Sequence, residues 1–385
     1  MSERHLLHFL FTAPRYHTNQ HFAAKALMDA GHQVSYLVVS RGMSETHEAV
    51  RPEVLALSAA SRTLGLALAR RSGRLFESRY GFPPVVTFWR RLRALAPDVV
   101  IVRNPTTWYG RLSVLTARLN GCSVLFYTQN RLHRPIDPLR RFIHSFRARA
   151  AGARWITPVL GDPDRYPPAV GAMCYVPFVM EPQTAPNRKA WFAGGAVNVL
   201  SIGKFQRRKN HGLLLQAVDR LSARYTIRAT VIGECTTAEH RDELAKLRRI
   251  RDAEGLGDRI QFKTNLRYAE VQEELSRHDV FVLASRDEPA AISHLEAMAH
   301  SLPVICSDAN GTKCYVRPGE NGFIVRTGDA GDLGRRLEAI VSDRDRLLEM
   351  GARSYQLVVT EHAPGKYVET MLGLVGGAPA PPVIH

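Results

Sequence analysis

The sequence predicts an α/β protein of two domains, each built on a parallel sheet covered by helices. Three observations carry this. Short apolar runs recur, as in Val99-Val100-Ile101-Val102 and Phe281-Val282-Leu283-Ala284, and such runs suit strands buried on both faces. Helical stretches alternate with them, which is the β-α-β pattern of a parallel sheet. The alternation occurs twice, on either side of residues 181–196, where Pro182, Pro186, Gly194 and Gly195 stand without periodicity and predict a linker.

In the first half, His5 to Thr12 reads as a strand, followed by a polar loop to Gln20 and a helix from about His21 to Asp29. Gly31 is a natural C-terminal stop for that helix. Strands follow at Val34 to Val39 and Val54 to Leu57. Residues 59–96 read as mostly helical, broken by Gly81, Pro83 and Pro84. Arg62, Arg70, Arg71, Arg74, Arg79, Arg90, Arg91 and Arg93 alternate there with Leu64, Leu66, Leu68, Leu75, Phe76, Val85, Val86, Phe88 and Trp89, a basic amphipathic pattern that fits an anionic membrane surface as well as an ordinary sheet-packed helix. Strands at Val99 to Val102 and Val124 to Tyr127 flank a helix from Trp108 to Asn120. A basic helix from Leu139 to Ala150 and short strands at Trp155 to Leu160 and Cys174 to Val179 complete this half.

The second half repeats the scheme. Strands are expected at Val197 to Ile202, Ile227 to Ile232, Ile260 to Phe262, Phe281 to Ala284, Val304 to Cys306 and Phe323 to Val325. Helices are expected at His211 to Leu221, Glu239 to Ala253, Ala269 to Arg277, from Ala290 onward, Asp329 to Val341 and Arg344 to Thr360. A last helix, His362 to Leu374, stands apart. The domains then run 1–180 and 197–361, with a terminal helix at 362–376 and a disordered Pro-rich tail at 377–385. Two such halves joined by a linker place a ligand cleft between them.

Composition narrows the class. At 385 residues with 45% hydrophobic content the chain is an ordinary soluble size, and no run reaches the length of a membrane span. The N-terminal apolar piece is short and lacks a small-residue cleavage site, so it reads as a strand and not a signal peptide. Five scattered cysteines without a Cys-x-x-Cys pair point to a reducing cytoplasm and to no metal site. The net charge of +16 is lopsided: residues to Met180 hold 24 Lys+Arg against 10 Asp+Glu, and the remainder 28 against 26. The first half therefore suits a polyanionic partner: an anionic membrane leaflet, a nucleic acid or a phosphorylated acceptor.

Two clusters carry chemistry. In Phe281 to Asp308, Glu288 falls at the carboxyl end of a strand, where open parallel sheets bind ligands, and Glu296 follows eight residues later, about two helical turns along the same face. Glu296 sits among Leu295, Ala297 and Met298 in a helix apolar nearly all round, so it is expected to be buried. In the second cluster, Gly203 lets the backbone turn and permits close approach of a ligand. Lys204, Arg207, Arg208 and Lys209 then gather just before a helix N-terminus, where an anion belongs.

These stretches resemble glycosyltransferase family 4, of the two-domain GT-B architecture. The resemblance rests on Glu288 and Glu296 at the Glu-x7-Glu spacing, the surrounding LEAMAHSLPVICSD, the later PGENGFIV at Pro318 to Val325, Gly203-Lys204 followed by Lys209, and PRY…ALMDAGHQV at Pro14 to Val34. It spans essentially the whole chain. It implies two Rossmann-like α/β/α domains facing each other across a cleft, with the C-terminal helix crossing back to the first. It also implies retaining transfer of a sugar from a nucleotide diphosphate sugar, such as a UDP- or GDP-sugar substrate, with no cofactor and no metal.

On this resemblance Glu288, Lys209 and Lys204 are the catalytic residues. Gly203, Lys204, Lys209, Glu288, Glu296 and the backbone N–H groups of Ala290, Ala291 and Ile292 hold the donor. Glu288 meets sugar hydroxyls, Glu296 the ribose, and the lysines and N–H groups the departing diphosphate. Three departures stand out. Pro289-Ala290-Ala291 replaces a frequent Gly-Phe-Gly. His17-Thr18-Asn19 replaces a glycine pair. Thr128-Gln129-Asn130 stands where a histidine is common. His17, Asn19, Gln129 and Asn130 are accordingly candidates for acceptor or cleft contacts.

The expected protein is a cytoplasmic glycosyltransferase, peripheral on the inner face of the plasma membrane. It acts on a glycan or lipid-linked acceptor in lipopolysaccharide, capsule or exopolysaccharide synthesis. Its partners are the nucleotide-sugar, the acceptor and an anionic membrane. The alternative is a non-enzymatic nucleic-acid or anionic-surface binding protein using the basic half; no nucleic-acid motif supports it. An epimerase or a phosphorylase on the same fold is a third reading, the latter needing a pyridoxal lysine.

Overall fold

The structure, a computed structural model, describes residues 6–16, 18–41, 49–63, 80–171 and 173–376. The chain divides into two compact units, Met1–Val179 with Pro364–His385, and Met180–Ala363. Of the residues singled out above, His5, His17, Leu64 to Arg79 and the tail 377–385 lie outside the described residues.

The first unit holds a seven-stranded sheet. Its strands are β1 (His8–Arg15), β2 (Gln33–Ser40), β3 (Glu53–Val54), β4 (Val99–Arg103), β5 (Ser123–Tyr127), β6 (Arg154–Thr157) and β7 (Met173–Tyr175). Their order is β3-β2-β1-β4-β5-β6-β7, with every neighbouring pair parallel. β1 runs farther than the apolar run suggests, because Ala13 and Arg15 continue the ladder opposite Val38 and Ser40. β3 is only two residues long at the sheet edge, directly after Pro52.

Helix α1 (His21–Asp29) follows β1; α2 (Val85–Leu95), α3 (Trp108–Leu119) and α4 (Pro138–Ala150) follow later strands. Phe88 and Leu92 of α2, Tyr109 and Ala117 of α3, and Ala148 of α4 share one core with Leu10, Val100, Val102, Val124 and Phe126. These three helices therefore form one layer on the sheet. The starts of α3 and α4 are encoded locally. The Thr107 hydroxyl accepts the Gly110 N–H at 3.0 Å, and the Asp137 carboxylate accepts the Arg140 N–H at 3.1 Å ahead of Pro138.

The second unit holds a six-stranded parallel sheet: β8 (Val197–Ile202), β9 (Ile227–Gly233), β10 (Ile260–Thr264), β11 (Val280–Leu283), β12 (Val304–Ser307) and β13 (Gly322–Val325), in the order β10-β9-β8-β11-β12-β13. Helices α5 (Gly212–Ser222), α6 (Ala238–Ala253), α7 (Tyr268–Arg277), α8 (Ser293–Ala299), α9 (Ala330–Val341) and α10 (Arg344–Glu361) cover it. The order reverses between β8 and β11, which lie side by side. Loops after these two strands therefore leave the same end of the sheet, the arrangement in which α/β proteins build ligand sites. α11 (Pro364–Val375) belongs to the first unit, where it packs on α1.

Residues 181–196 are fastened to the second unit. The buried Lys189 ammonium donates to the carbonyls of Leu275 (3.2 Å) and Ser276 (2.9 Å). Asp279, fully buried, accepts the N–H groups of Phe192 (2.9 Å) and Asn198 (2.8 Å). A stretch with no periodicity is thus held by side-chain bonds to backbone, which composition does not reveal. The Met180 N–H donates to the His362 carbonyl at 3.0 Å, tying together the two places where the chain passes between units.

Candidate active site

The basic loop leaves β8 at Gly203 and closes through a 3-10 turn, Arg207–Lys209, into Asn210, whose φ is 56°. Two glycines let it fold tightly. A Cβ on Gly233 would lie 2.5 Å from the Gly203 carbonyl oxygen, so that strand end needs glycine. Gly203 itself does not adopt a positive φ. What its missing Cβ admits is the Lys209 stem, since a Cβ there would lie 3.0 Å from Lys209 Cδ and 3.2 Å from Cε. The expectation that Gly203 serves backbone turning is corrected accordingly.

Lys209 is carried inward to Glu288, which follows β11. Its ammonium pairs with Glu288 Oε2, and Arg208 Nη1 donates to the same oxygen at 3.0 Å. Both Glu288 and Lys209 are buried. Burial lowers the Lys209 pKa, and the Glu288 carboxylate opposes that shift. Arg208 also donates to the Asp287 carbonyl at 2.9 Å, and its own carbonyl accepts the Arg286 N–H at 2.7 Å. The other Glu288 oxygen, Oε1, has no partner among the described residues.

Glu288 is also pinned through its backbone. It pairs with Asn310 in an isolated parallel bridge, and its carbonyl accepts the Gly311 N–H at 2.8 Å. The turn at 310–312 supports the next segment: the Thr312 hydroxyl donates to the Ala291 carbonyl (2.9 Å), and His294 Nε2 donates to the Thr312 carbonyl (3.1 Å). This bracing explains a correction. The helix begins at Ser293, with Ile292 as its N-cap, and not at Ala290. Residues 289–291 lie outside any helix or strand, between the bridge and α8. The N–H groups of Ala290, Ala291 and Ile292 nonetheless donate to no described residue.

Glu296 lies in the first turn of α8. It keeps some solvent contact, yet surrounding protein pushes its carboxyl up to about 7 through burial, and no described residue pairs with it. Lys204 goes elsewhere: its ammonium sits 2.8 Å from Glu234 after β9. His211 anchors the base of the loop, with Nε2 donating to the Gly203 carbonyl (3.3 Å) and Nδ1 accepting from Ser201 (3.2 Å). Burial, reinforced by the Lys209 charge, lowers its pKa to about 4, so it is neutral. Among the described residues no three His, Cys, Asp or Glu gather as metal ligands would.

In the first unit, Asn19 Oδ1 accepts from Arg103 Nη1 at 3.3 Å, and the Arg103 guanidinium lies over the Tyr127 ring at 5.1 Å. Gln129 and Asn130 follow β5; the Asn130 side is exposed and its carbonyl accepts from Thr157 Oγ1 at 2.7 Å. Sequence reasoning missed Arg103 and Asn310, and counted Arg208 in the basic loop without singling it out. A cation closing the apolar run VVIVR was the available signal for Arg103, and position beyond a strand end for Asn310. Nothing in the spacing distinguished Arg208 from Arg207.

The fold defines the class first. The chain superposes on the crystal structure of Anabaena HepE in complex with UDP and glucose with a TM-score of 0.70 at 13% identity, covering 96% of this chain and all of that one. The architecture is GT-B, as the sequence led one to expect. The family signal follows in the second unit, where residues 186–357 match the family described as glycosyl transferases group 1. Over 185 residues the chain is 31% identical to the lipopolysaccharide core biosynthesis glycosyltransferase LpsE of Rhizobium meliloti, covering 47% of this chain and 50% of that protein. Over 142 residues it is 30% identical to the lipopolysaccharide core biosynthesis mannosyltransferase LpcC of Rhizobium leguminosarum bv. viciae, covering 37% and 40%. The chain spans about half or less of the length of the curated relatives it matches.

Proposed function

We propose that this chain is a metal-independent, retaining glycosyltransferase that moves a sugar from a nucleotide diphosphate sugar to a glycan or lipid-linked acceptor at the cytoplasmic side of a membrane. One observation carries the reading: the Lys209–Glu288 pair beyond adjacent strands β8 and β11, beside backbone N–H groups that serve no other contact. The similarity of its second unit to group 1 glycosyltransferases supports it. The relatives named for lipopolysaccharide core synthesis support a surface-glycan acceptor.

The anomeric C–O bond to the diphosphate breaks, and a C–O bond to the acceptor oxygen forms on the same face of the sugar. The acceptor proton passes to the departing phosphate oxygen, so no protein base is required. An ammonium has three donors. Lys209 therefore keeps Glu288 and reaches the phosphate together. Those cationic and N–H donors stabilise the developing diphosphate charge where the chemistry needs it. Glu288 Oε1 takes a sugar hydroxyl, and the unpartnered Glu296 carboxylate takes the ribose hydroxyls. Lys204, engaged by Glu234, acts by exchanging that partner for phosphate.

Calorimetry with UDP-, GDP-, ADP- and dTDP-sugars tests this on the wild type, Lys209→Ala and Glu288→Ala. One nucleotide class should bind the wild type. Lys209→Ala should weaken that binding, whereas Glu288→Ala should abolish turnover and largely spare nucleotide affinity. Full turnover by Glu288→Ala would sink the assignment.

A further inference from the structure

Helix α4 of the first unit turns an apolar strip outward. Leu139, Phe142 and Phe146 are 66%, 68% and 61% exposed. At about 100° per residue they project within one arc roughly opposite His144 and Ala148, the side that meets the sheet. The two phenylalanine rings stack on each other with centroids 6.4 Å apart, one helical turn from one to the next. Arg140 and Arg147 border one edge of the strip and Arg149 the other, all exposed. No acidic residue occurs between Asp137 and Asp162, and Asp137 is occupied as the helix cap. The same helical layer exposes Leu115 and Leu119 of α3 at 59% and 72%.

We propose that the outward face of α4 docks on an anionic lipid bilayer, with Leu139, Phe142 and Phe146 entering the headgroup boundary and the flanking arginines pairing with lipid phosphates. An exposed apolar strip bordered only by cations has the chemistry of an interfacial helix. A second copy of the chain fits poorly, because a two-fold contact through this face would set like arginine edges against each other. Among the described residues no helix is long and apolar enough to cross a membrane, so the contact assigned here lies along the surface.

Co-sedimentation of the full chain with phosphatidylcholine vesicles, with and without phosphatidylglycerol, tests the proposal. The wild type should bind only the phosphatidylglycerol vesicles, and less as salt rises. The pair Phe142→Ser with Phe146→Ser should bind about tenfold more weakly or worse. Arg140→Gln with Arg147→Gln should lose the preference for anionic lipid. Absence of wild-type binding at low salt, or unchanged binding by the serine pair, overturns the proposal. So does a lipid-free dimer, or a shift of duplex DNA, that the serine pair abolishes, since the face would then serve another partner. Should the serine pair lose its cooperative melt, Phe146→Trp decides: its emission should shift to the blue on phosphatidylglycerol vesicles, and no shift counts against docking. Glu288 and Lys209 lie on the other unit, so nucleotide binding should be unchanged in all these variants. Failure of docking and failure of the transfer reading are thereby separable.

Discussion

Lys209 and Arg208, consecutive in the chain, meet the same oxygen of Glu288, one from inside the protein and one from its surface. The buried partner is part of the fold as well as of the site. Removing Glu288 strands a desolvated ammonium, and removing Lys209 strands a carboxylate that still keeps Arg208. Breaking one side of a buried pair costs about 3–5 kcal/mol when nothing replaces it. Glu288→Ala should therefore melt lower than Lys209→Met, which retains most of the stem packing; equal melting temperatures would contradict this.

Lys209→Met should lower turnover by about 10²–10³-fold if its ammonium stabilises the departing diphosphate, by analogy with loss of one oxyanion donor. Steady-state kinetics with the donor identified by calorimetry measures this. A loss below about threefold would remove Lys209 from that role.

Arg208 is a positioning residue in this reading. Its guanidinium is 41% exposed, so its ion pair adds little stability. Arg208→Ala should leave the melting temperature within a degree or so yet lower kcat about tenfold, with KM for the donor nearly constant, because Oε2 then rests on the Lys209 ammonium alone and the carboxylate is less firmly oriented. Arg208→Lys should recover part of the rate. A change confined to KM would argue instead for direct phosphate contact.

Gly203→Ala should separate fold from site. The new Cβ meets the flexible methylenes of Lys209 at 3.0–3.4 Å, and these can shift. The stability cost should be about 1 kcal/mol or less, typical of a small steric adjustment. Donor affinity should fall about tenfold as the ammonium moves off its line to Glu288. Unchanged affinity would show that Lys209 tolerates displacement.

Two pH effects of opposite sign are expected. Burial raises the Glu296 pKa to about 7, above its unfolded value near 4.5. Its contribution is complete below pH 4.5 and is lost as pH rises through 7, by up to about 3 kcal/mol before solvent contact is discounted. Burial lowers His211, His294 and His300 to about 4. Their contribution is complete above about pH 6.5 and is lost as pH falls toward 4. Thermal melts from pH 4 to 8 should show Glu296→Gln gaining on the wild type above pH 6, and the wild type losing stability below pH 6.5. Parallel curves for wild type and Glu296→Gln would refute the first effect.

Much of the fold was legible because parallel strands buried on both faces leave unbroken apolar runs, and helices between them fix the topology. Glu288 and the basic loop were legible for the same reason, since both follow such runs. Detail was lost wherever order comes from side-chain bonds and not from periodicity. The 3-10 turn at Arg207–Lys209 has no repeat to reveal which arginine faces Glu288. The delayed start of α8 depends on Asn310 and Gly311, about twenty residues farther along the chain. Basic and apolar residues at 139–150 were evident, but which face of the helix the sheet would cover was not.

The segment 289–291 is bracketed by fixed points: Glu288 clamped through both backbone and carboxylate, and the Ala291 carbonyl held by Thr312. Between them, the N–H groups of Ala290 and Ala291 donate to no described residue. Such a stretch behaves as an exchangeable cassette. If the proposed transfer function holds, variation at the exposed end of this stretch should alter which donor sugar is recognised while the bridge and the Thr312 bond keep the scaffold folded. A library confined to Pro289 and Ala290, which keep solvent contact, should shift donor preference at nearly constant melting temperature, whereas larger residues at the buried Ala291 should lower it.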